Sequence, residues 1–379
     1  MNREKILLIS HSTNKSGGGE DDFQSLLEYF HNKEYDVYGV FPKGYRADYF
    51  VSLCKNSLVL PDNIFPYGGL CLSKYLMFFY FTLQKLPVLL TFLNTVKKDI
   101  SACFVNSSVC LAEIIALNIA GIRYTLSVKE VIRPPFVRNI LYNYYNKSAL
   151  NVIAISKFLK DLLSDGFSSN KLHIIHSSVN EDKLSEIKNQ SVQRFNLGFR
   201  IVNSGVIMPA KNQELLINAL QNIKSENKII VDFIGRVEDY SYLVNLKELI
   251  AGFKNDNIKI SFHNELKREE ALKITNDADL IVVTSRSEGM SLVLAEALYF
   301  EKPVISTVTG VAQEVISDCE NGFLVGFDDF IVLADRIDKI ISDTQLRKSM
   351  SKKQSDVFRR NFNLDLCLKE HEKLILGKL

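Results

Sequence analysis

Short apolar runs alternate with helix-length segments along most of the chain. Runs rich in Val, Ile, Leu and Phe without polar alternation are typical of strands that a parallel sheet buries on both faces. In the first half, the predicted strands are residues 5–10, 35–40, 102–105, 124–127, 152–154 and 172–175. In the second half, they are residues 200–204, 228–234, 258–262, 280–284, 304–306 and 322–325. This alternation predicts two doubly wound α/β domains in tandem.

The domain boundary is expected in the polar stretch 186–197, since few apolar residues interrupt it. We assign residues 1–190 to the first domain and residues 191–360 to the second. The length of 379 residues suits two domains of ordinary size. Residues 361–379 read as a terminal helix.

Composition narrows the function classes. The net charge is only +2, with 46 basic and 44 acidic residues, so a general nucleic-acid binder is not expected. The six cysteines form no C-x-x-C pair and read as reduced thiols of a cytoplasmic protein. The most apolar stretch, 70–93, is interrupted by Lys74 and Lys85, so we expect no transmembrane helix.

A carboxylate stands inside an otherwise apolar helix pattern. Residues 290–300 are hydrophobic on nearly every side except at Glu296, and a buried carboxylate there requires a partner. Glu288 precedes Glu296 by eight positions, which corresponds to ~12 Å along a helix axis. This separation suits one elongated polar ligand beside the helix start. The alternative is that Glu288 is a surface cap residue and Glu296 a core acid paired with a Lys or Arg.

The residues that open this helix favour phosphate. Gly289 allows close backbone approach to a ligand. The amides of Gly289, Met290, Ser291 and Leu292 are predicted to be the unpaired donors of a first turn, where the helix dipole also attracts anions. We therefore expect a phosphate-bearing ligand whose hydroxyls contact the two glutamates.

The pattern Glu288-x7-Glu296, preceded by a strand ending at Ser285, resembles the signature of glycosyltransferase family 4. Further matches follow at residues 302–305 (Lys-Pro-Val-Ile), Gly310, Glu314 and 321–322 (Asn-Gly). The resemblance implies the α/β GT-B fold, in which two Rossmann-like, doubly wound domains face a central cleft. It implies that the first domain binds the acceptor, that the second binds the nucleotide-sugar, and that helix 361–379 crosses back to the first domain.

The resemblance also implies retaining transfer from a nucleotide-sugar donor to a hydroxyl acceptor. Lys211 matches a family lysine in the loop that begins at Gly205, and an ammonium group there would neutralise the departing diphosphate. Glu288 would orient the sugar and Glu296 the ribose. Val206 stands where the family has an Arg, which removes one positive charge. The alternative for Lys211 is a solvated first-turn lysine.

Gly235 and Arg236 end another predicted strand of the second domain. A glycine there would let the base or ribose approach the sheet edge, although a plain turn is an equal alternative. Arg236 is a candidate to replace the cation that Val206 lacks.

In the first domain, the candidate acceptor or phosphate loop contains Gly17, Gly18, Gly19 and Glu20. Three adjacent glycines fit a Rossmann dehydrogenase fingerprint poorly, and a flexible loop is the alternative. Lys129 and Glu130 follow another strand. The family has a His at the position of Lys129, so the role of that His is not assigned to Lys129. We keep Lys129 and Glu130 as candidate site residues, and the alternative is that they form a surface ion pair.

The resemblance implies that no metal or other cofactor is needed, and the nucleotide-sugar counts as a substrate. The sequence Asp277-Ala278-Asp279 resembles the D-x-D metal motif of the other glycosyltransferase fold. We interpret it as a coincidence, since the resemblance implies that positive side chains and helix ends hold the phosphates.

The acceptor is expected to be a glycan or lipid-linked glycan in bacterial surface polysaccharide assembly. The aromatic stretch 75–81, flanked by Lys74, Lys85, Lys97 and Lys98, and the stretches 133–136 and 142–147 suit a membrane surface. The protein would then be cytoplasmic, at the inner face of the membrane. The alternative is that these stretches form ordinary buried helices of the first domain. Two rival functions share the architecture: a nucleotide-sugar 2-epimerase, and a non-catalytic diverged transferase that acts as a binding protein.

Overall fold

The computed structural model describes residues 3–14, 18–62, 72–132, 134–190, 198–253, 255–264 and 266–378. The chain divides into two compact units. Unit 1 comprises Met1–Ser177 and Asp365–Leu379, and unit 2 comprises Ser178–Leu364. Each unit contains one parallel sheet covered by helices, so the prediction of two Rossmann-like α/β domains is confirmed.

The sheet of unit 1 has the strand order β3-β2-β1-β4-β5-β6-β7 within the described residues. Its strands are β1 (Lys5–Ile9), β2 (Asp36–Pro42), β3 (Asn56–Leu60), β4 (Ala102–Val105), β5 (Tyr124–Val128), β6 (Ala149–Ala154) and β7 (Leu172–Ile174). Its helices up to β7 are α1 (Gly18–Asn32), α2 (Ala47–Ser52), α3 (Leu72–Val96), α4 (Leu111–Ala120), α5 (Pro135–Asn146) and α6 (Lys157–Leu163). Strand β3 was not predicted, because its residues are only half-buried and its pattern is correspondingly weak.

The sheet of unit 2 has the order β10-β9-β8-β11-β12-β13. Its strands are β8 (Phe199–Ser204), β9 (Ile229–Ile234), β10 (Ile258–His263), β11 (Leu280–Val283), β12 (Val304–Thr307) and β13 (Gly322–Val325). Its helices are α7 (Glu181–Asn189), α8 (Gln213–Leu220), α9 (Tyr240–Ala251), α10 (Arg268–Asn276), α11 (Leu292–Tyr299), α12 (Ala312–Val315), α13 (Phe330–Ser342) and α14 (Thr344–Asn361).

Successive residues of the unit 2 strands pack into two different hydrophobic cores, one on each face of the sheet. Ile201 of β8 packs with helices α8, α9 and α13, whereas Val202 packs with α7, α10 and α11. All four residues of β11 are buried. Because both faces of the sheet are covered, its strands lack polar alternation, and this explains why the sequence pattern located them correctly.

The two chain segments near the domain boundary contact different units. Helix α7 packs in unit 2, where Leu184 and Ile187 join its core, so the division falls after Ser177 and not after residue 190. The final helix, α15 (Leu364–Leu376), packs against unit 1. The carbonyl of Leu374 accepts hydrogen bonds from Thr125 Oγ1 at 3.1 Å and from Asn151 Nδ2 at 2.9 Å.

Helix α3 bears on the expectation that the chain has no transmembrane helix. Its segment Ser73–Val96 is long and apolar enough to cross a membrane, with a mean hydropathy of 1.6 over its most apolar window. The expectation that the chain has no transmembrane helix stays a prediction. Length and composition alone do not place α3 in a bilayer, and one of its faces packs into unit 1 through Phe78, Leu89 and Leu93, all nearly inaccessible to solvent.

Each sheet has one point at which the strand order reverses. In unit 1 this point lies between β1 and β4, and in unit 2 between β8 and β11. Ligands of open α/β sheets bind in the crevice beyond the carboxyl ends of the strands at such a switch point. The loops after these four strands are therefore where candidate binding residues matter most.

Candidate functional site

Lys211 and Glu288, the two predicted catalytic residues, meet at the carboxyl edge of the unit 2 sheet. Lys211 ends the short 3₁₀ turn Pro209–Lys211 after β8, and Glu288 lies in the loop after β11. The Lys211 Nζ donates to Glu288 Oε1, and Ser285 Oγ donates to the same oxygen at 2.5 Å. Thr284 Oγ1 also donates to the Lys211 carbonyl at 2.7 Å. These contacts join the two loops that flank the switch point.

The second carboxylate oxygen of Glu288 is still available. Glu288 Oε2 is buried and has no hydrogen-bond partner among the residues that the structure describes. The Glu288 side chain is only 9% exposed, so its electrostatic interactions are weakly screened by water. Leaving a buried acceptor unpaired costs ~1–3 kcal/mol, which a ligand hydroxyl donating to Oε2 would offset.

Glu296 has an arginine partner. Its side chain lies in α11 at 2% exposure, and the Arg268 guanidinium of α10 contacts both of its oxygens, with Nη1 at 3.3 Å from Oε2. This is the alternative in which Glu296 is a core acid paired with an Arg. The predicted contact of Glu296 with a ribose stays a prediction, because both of its oxygens are engaged here by Arg268.

The start of α11 differs from the prediction. The helix begins at Leu292, and Ser291 is the N-cap residue in an extended conformation. Gly289 and Met290 therefore precede the helix, and the expectation that their amides belong to its first turn is wrong. The N–H groups of Leu292 and Val293 are first-turn donors, since the residues four positions before them lie outside the helix and offer no intrahelical carbonyl.

Gly235 is required where the ends of β8 and β9 approach each other. Its φ is +153°, and a Cβ on it would lie 2.1 Å from the carbonyl oxygen of Gly205. A Cβ on Gly205 would in turn be 3.7 Å from the Lys211 side chain. The two predicted donor-site glycines thus allow close packing beside Lys211.

Arg236 does not join the Lys211–Glu288 pair. Its guanidinium pairs with Glu238 and its side chain is 63% exposed. The nearer cation in sequence is Arg286, which lies between Ser285 and Glu288 and pairs with Asp328 at 2.6 Å. Our interpretation that Arg236 replaces the cation missing at Val206 is not supported by any contact of Arg236 with the pair.

Gly310 is a supporting residue to which sequence reasoning gave no role. Its φ is +46°, and a Cβ on it would lie 2.4 Å from the Glu288 carbonyl oxygen and 2.8 Å from that of Gly289. The loop that contains Glu288 therefore rests on the backbone of Gly310. A glycine directly after β12 was a sign of close backbone approach, but in the sequence it served only as part of the family resemblance.

In unit 1, the candidate residues gather beyond β1, β4 and β5, except for Gly17, which lies outside the described residues. Gly18 and Gly19 open α1, and the Gly19 carbonyl accepts hydrogen bonds from Asn106 Nδ2 at 3.3 Å and Lys129 Nζ at 3.4 Å. Glu20 follows in the first turn as one of its acidic residues.

Lys129 and Glu130 bind different partners. Lys129 Nζ pairs with Asp22 at 3.0 Å. Glu130 Oε1 accepts from Ser107 Oγ and Ser108 Oγ, both at 2.7 Å, and from the Ser108 amide at 2.9 Å. The two residues are therefore anchored separately, and no ion pair between them is among the described contacts.

The sequence Asp277-Ala278-Asp279 participates in a polar network at the opposite edge of the unit 2 sheet. Asp277 pairs with the Arg200 guanidinium at 3.4 Å, and Asp279 accepts from the Arg200 amide at 2.9 Å. Within the described part of the chain, no group of three or more His, Cys, Asp or Glu residues could hold a metal ion. Metal independence stays a prediction.

Comparison with known proteins gives a family match for the second half of the chain. Residues 185–356 match the model described as Glycosyl transferases group 1, and this segment contains the unit 2 residues discussed above. The chain is 26% identical over 227 residues to an uncharacterized glycosyltransferase of Methanocaldococcus jannaschii, covering 60% of this chain and 59% of that protein. It is 27% identical over 248 residues to the capsular polysaccharide biosynthesis glycosyltransferase CapM of Staphylococcus aureus, covering 60% and 61%.

The chain spans about three fifths of the length of these curated relatives. Solved structures match over nearly the whole chain. Anabaena HepE in complex with UDP superposes with a TM-score of 0.77 at 18% identity, covering 99% of this chain and 100% of that one. A glycosyltransferase from Rickettsia africae gives 0.78 at 19% identity, covering 100% and 99%. These likenesses confirm the GT-B fold.

Proposed function

We propose that this chain is a retaining glycosyltransferase of the hexosyltransferase type that moves a sugar from a nucleotide-sugar donor to a hydroxyl acceptor. The observation that carries the proposal is the Lys211–Glu288 pair at the unit 2 switch point, inside the segment that matches the family model. A cation and a half-satisfied carboxylate beside a helix start suit a ligand with phosphate at one end and hydroxyls at the other.

In the proposed reaction, the bond between the anomeric carbon and the diphosphate oxygen breaks, and the acceptor oxygen bonds to the same face of the sugar. Lys211 and the amides of Leu292 and Val293 would neutralise the diphosphate. Glu288 Oε2 would accept a hydrogen bond from a sugar hydroxyl, and Glu296 one from the ribose. The departing phosphate oxygen would take the acceptor's proton, so the mechanism requires no protein base and no metal.

Relatives support the substrate classes. HepE has been crystallised with UDP-glucose, and CapM is named for capsular polysaccharide biosynthesis. A Campylobacter jejuni relative, 28% identical over 145 residues, is named for transfer of N-acetylgalactosamine to a diphospho-undecaprenol-linked glycan. We therefore propose a glycan or lipid-linked glycan acceptor in bacterial surface polysaccharide assembly, reached from the cytoplasm.

Helix α3 supports peripheral contact with the membrane. Its outer face carries large apolar side chains that are each at least 42% exposed: Leu76, Met77, Phe79, Tyr80, Phe81, Leu83 and Val88. The helix contains Lys74 and Lys85 but no acidic residue. An exposed apolar face with cationic residues suits the surface of a bilayer that contains anionic lipid. The proposed contact places α3 along the bilayer, with its inner face still packed in unit 1.

We expect the wild-type protein to sediment with phosphatidylglycerol vesicles, and the double variant Leu76→Ser/Leu83→Ser to bind them at least about tenfold more weakly. Each fully buried leucine contributes ~1.5–3 kcal/mol, and partial insertion retains a share of this. The matched control is Val244→Ser/Ile331→Ser in unit 2, where the two side chains are 53% and 50% exposed. Failure of the wild-type protein to sediment, or equal loss in both double variants, would contradict the membrane contact.

The proposed activity is tested first by nucleotide binding. A panel of nucleoside diphosphates is added during thermal unfolding, and at least one is expected to raise the melting temperature, because a ligand at 100 times its Kd stabilises the folded state by ~2.7 kcal/mol. The nucleotide-sugar of that base is then incubated with glycan acceptors, and release of nucleoside diphosphate is measured.

Acceptor-dependent release of the diphosphate supports the transferase. Conversion of the donor sugar without an acceptor would instead identify an epimerase. Binding of the nucleotide with no turnover on any acceptor would identify a binding protein. If no nucleotide stabilises the chain, the proposed donor site is wrong.

A further inference from the structure

A small polar cavity lies beyond the carboxyl ends of β1 to β4 in unit 1, beside the switch point. Its polar lining comes from Ser10 and His11 after β1, Asp62 after β3, Lys85 on α3, and Cys110 and Glu113 at the start of α4. Its volume is about 20 Å³ for water-sized occupants, which suffices for one hydroxyl group but not for a sugar ring. Apart from Lys85, none of these residues has been given a role above.

His11 has an unused hydrogen-bonding atom. Its Nδ1 is buried and has no hydrogen-bond partner among the residues that the structure describes. Burial lowers the pKa of the imidazole, and Lys129 acts in the same direction, while Glu130, Glu20 and Asp62 oppose the shift. The ring is therefore neutral at neutral pH and offers one nitrogen as a hydrogen-bond acceptor. Nδ1 is this acceptor or the N–H donor, according to the tautomer, and either is costly to leave unpaired when buried. A ligand hydroxyl, which can donate or accept, would gain free energy by pairing with it.

The other charged groups of the cavity are one ammonium group and two carboxyl groups. Burial raises the pKa of Glu113, and the nearby Lys85 ammonium opposes that shift. Asp62 supplies a second carboxylate beside this cation. The two carboxylates would repel a phosphate more strongly than the single lysine attracts it. A neutral hydroxyl can instead donate a hydrogen bond to a carboxylate or to the imidazole and accept one from the ammonium group.

The position adds a second argument. His11 Cε1 lies 3.9 Å, and Lys129 Cδ 3.6 Å, from where a Cβ on Gly19 would be. Gly19 therefore places no side chain between its own loop and His11. Phe78 and Lys85 of α3 close the other side of the cavity. The helix whose outer face is exposed and apolar thus contributes its inner face to the wall of this cavity.

We propose that this cavity is a recognition site for one hydroxyl group of an uncharged sugar, with His11, Asp62 and Glu113 as its hydrogen-bonding residues. This proposal rests on the proposed function and extends it, because the cavity would help to select the acceptor sugar. His11 is assigned as a specificity-determining residue that orients the hydroxyl and takes no part in bond making.

Selective ¹⁵N-histidine labelling of the full chain tests the proposal, because the chain contains only six histidines. The His11→Gln variant assigns the His11 resonances. The probes are the methyl glycosides of glucose, galactose, mannose, N-acetylglucosamine and N-acetylgalactosamine, with inorganic phosphate as the charged alternative. At least one glycoside is expected to shift the His11 signal saturably, while His173, which bonds Asn151 at 3.1 Å, stays in place.

The variants Asp62→Asn and Glu113→Gln are expected to weaken this binding at least about tenfold, whereas the exposed-residue control Asp48→Asn leaves it unchanged. Absence of a saturable shift with every glycoside, a shift with phosphate instead, or unchanged affinity in both variants would each overturn the proposal. Nucleotide stabilisation, measured on the same samples, tests the donor site separately. Stabilisation without a glycoside shift would reject the cavity while leaving the proposed function in place.

Discussion

The Lys211→Ala variant is expected to transfer sugar about 100- to 1,000-fold more slowly than the wild type, a barrier increase of ~2.7–4 kcal/mol. The Lys211 ammonium group contacts Glu288 at the switch point between β8 and β11. The charge that develops on the departing diphosphate would therefore lose the preorganised Lys211 cation. The measurement is kcat with saturating donor and acceptor, once the nucleotide has been identified.

The Glu288→Ala variant is expected to lose transfer to a similar degree, because the sugar would lose its hydroxyl acceptor and Lys211 its partner. The double variant should be slower than either single variant by less than the product of the two losses, since the two side chains contact each other. Lys224→Ala, which removes an 80% exposed lysine of unit 2, is the matched control and should transfer at the wild-type rate. Wild-type rates for Lys211→Ala and Glu288→Ala in folded protein would overturn the assignment.

Removing Arg268, the partner of the buried Glu296 carboxylate, has the largest expected effect on stability. We expect Arg268→Ala to lower the free energy of unfolding by ~2 kcal/mol, because it leaves the Glu296 carboxylate buried without its guanidinium. This loss of unfolding free energy is smaller than that expected for a fully buried ion pair, because the Arg268 side chain is 54% exposed. For a unit of this size the melting temperature should fall by roughly 4–8 °C. Thermal unfolding without nucleotide measures it.

Glu296→Gln in the Arg268→Ala background serves as the control. The neutral amide removes the buried carboxylate charge that has lost its guanidinium, so the double variant should recover part of the lost stability. If Glu296 also holds the ribose, Glu296→Gln alone should weaken nucleotide binding at least about tenfold while the protein stays folded. Unchanged nucleotide affinity would leave Glu296 with the structural role only. Unchanged melting temperature in Arg268→Ala would show that the ion pair contributes nothing measurable.

The fold was predictable because most of its strands are buried on both faces. Such strands appear as continuous apolar runs, and the predicted runs of unit 2 coincide with β8 to β13. The missed strand, β3, is half-buried at the sheet edge, where polar residues such as Asn56 weaken the pattern. The apolar length of α3 was underestimated because Lys74 and Lys85 interrupt the run, although two lysines do not prevent one long apolar helix.

The site was predictable only as a set of candidates. The spacing of Glu288 and Glu296 identified two unusual acids, but it could not tell which one faces a ligand. Arg268 is nearly thirty positions from Glu296 in sequence, and its pairing results from the packing of α10 against α11. No local pattern reports such a contact, because the two helices are joined by a buried strand and a loop.

The sequence by itself determined the layered architecture, the loops that carry chemistry and the residues that open them, since periodicity and local propensity act over neighbouring positions. Only the tertiary structure decided which side chains meet: Lys211 with Glu288, Arg268 with Glu296, and Lys129 with Asp22. It also revealed His11 in a cavity built from four strand ends and a helix. Contacts of this kind depend on strand order, and strand order is set by the packing of the whole unit.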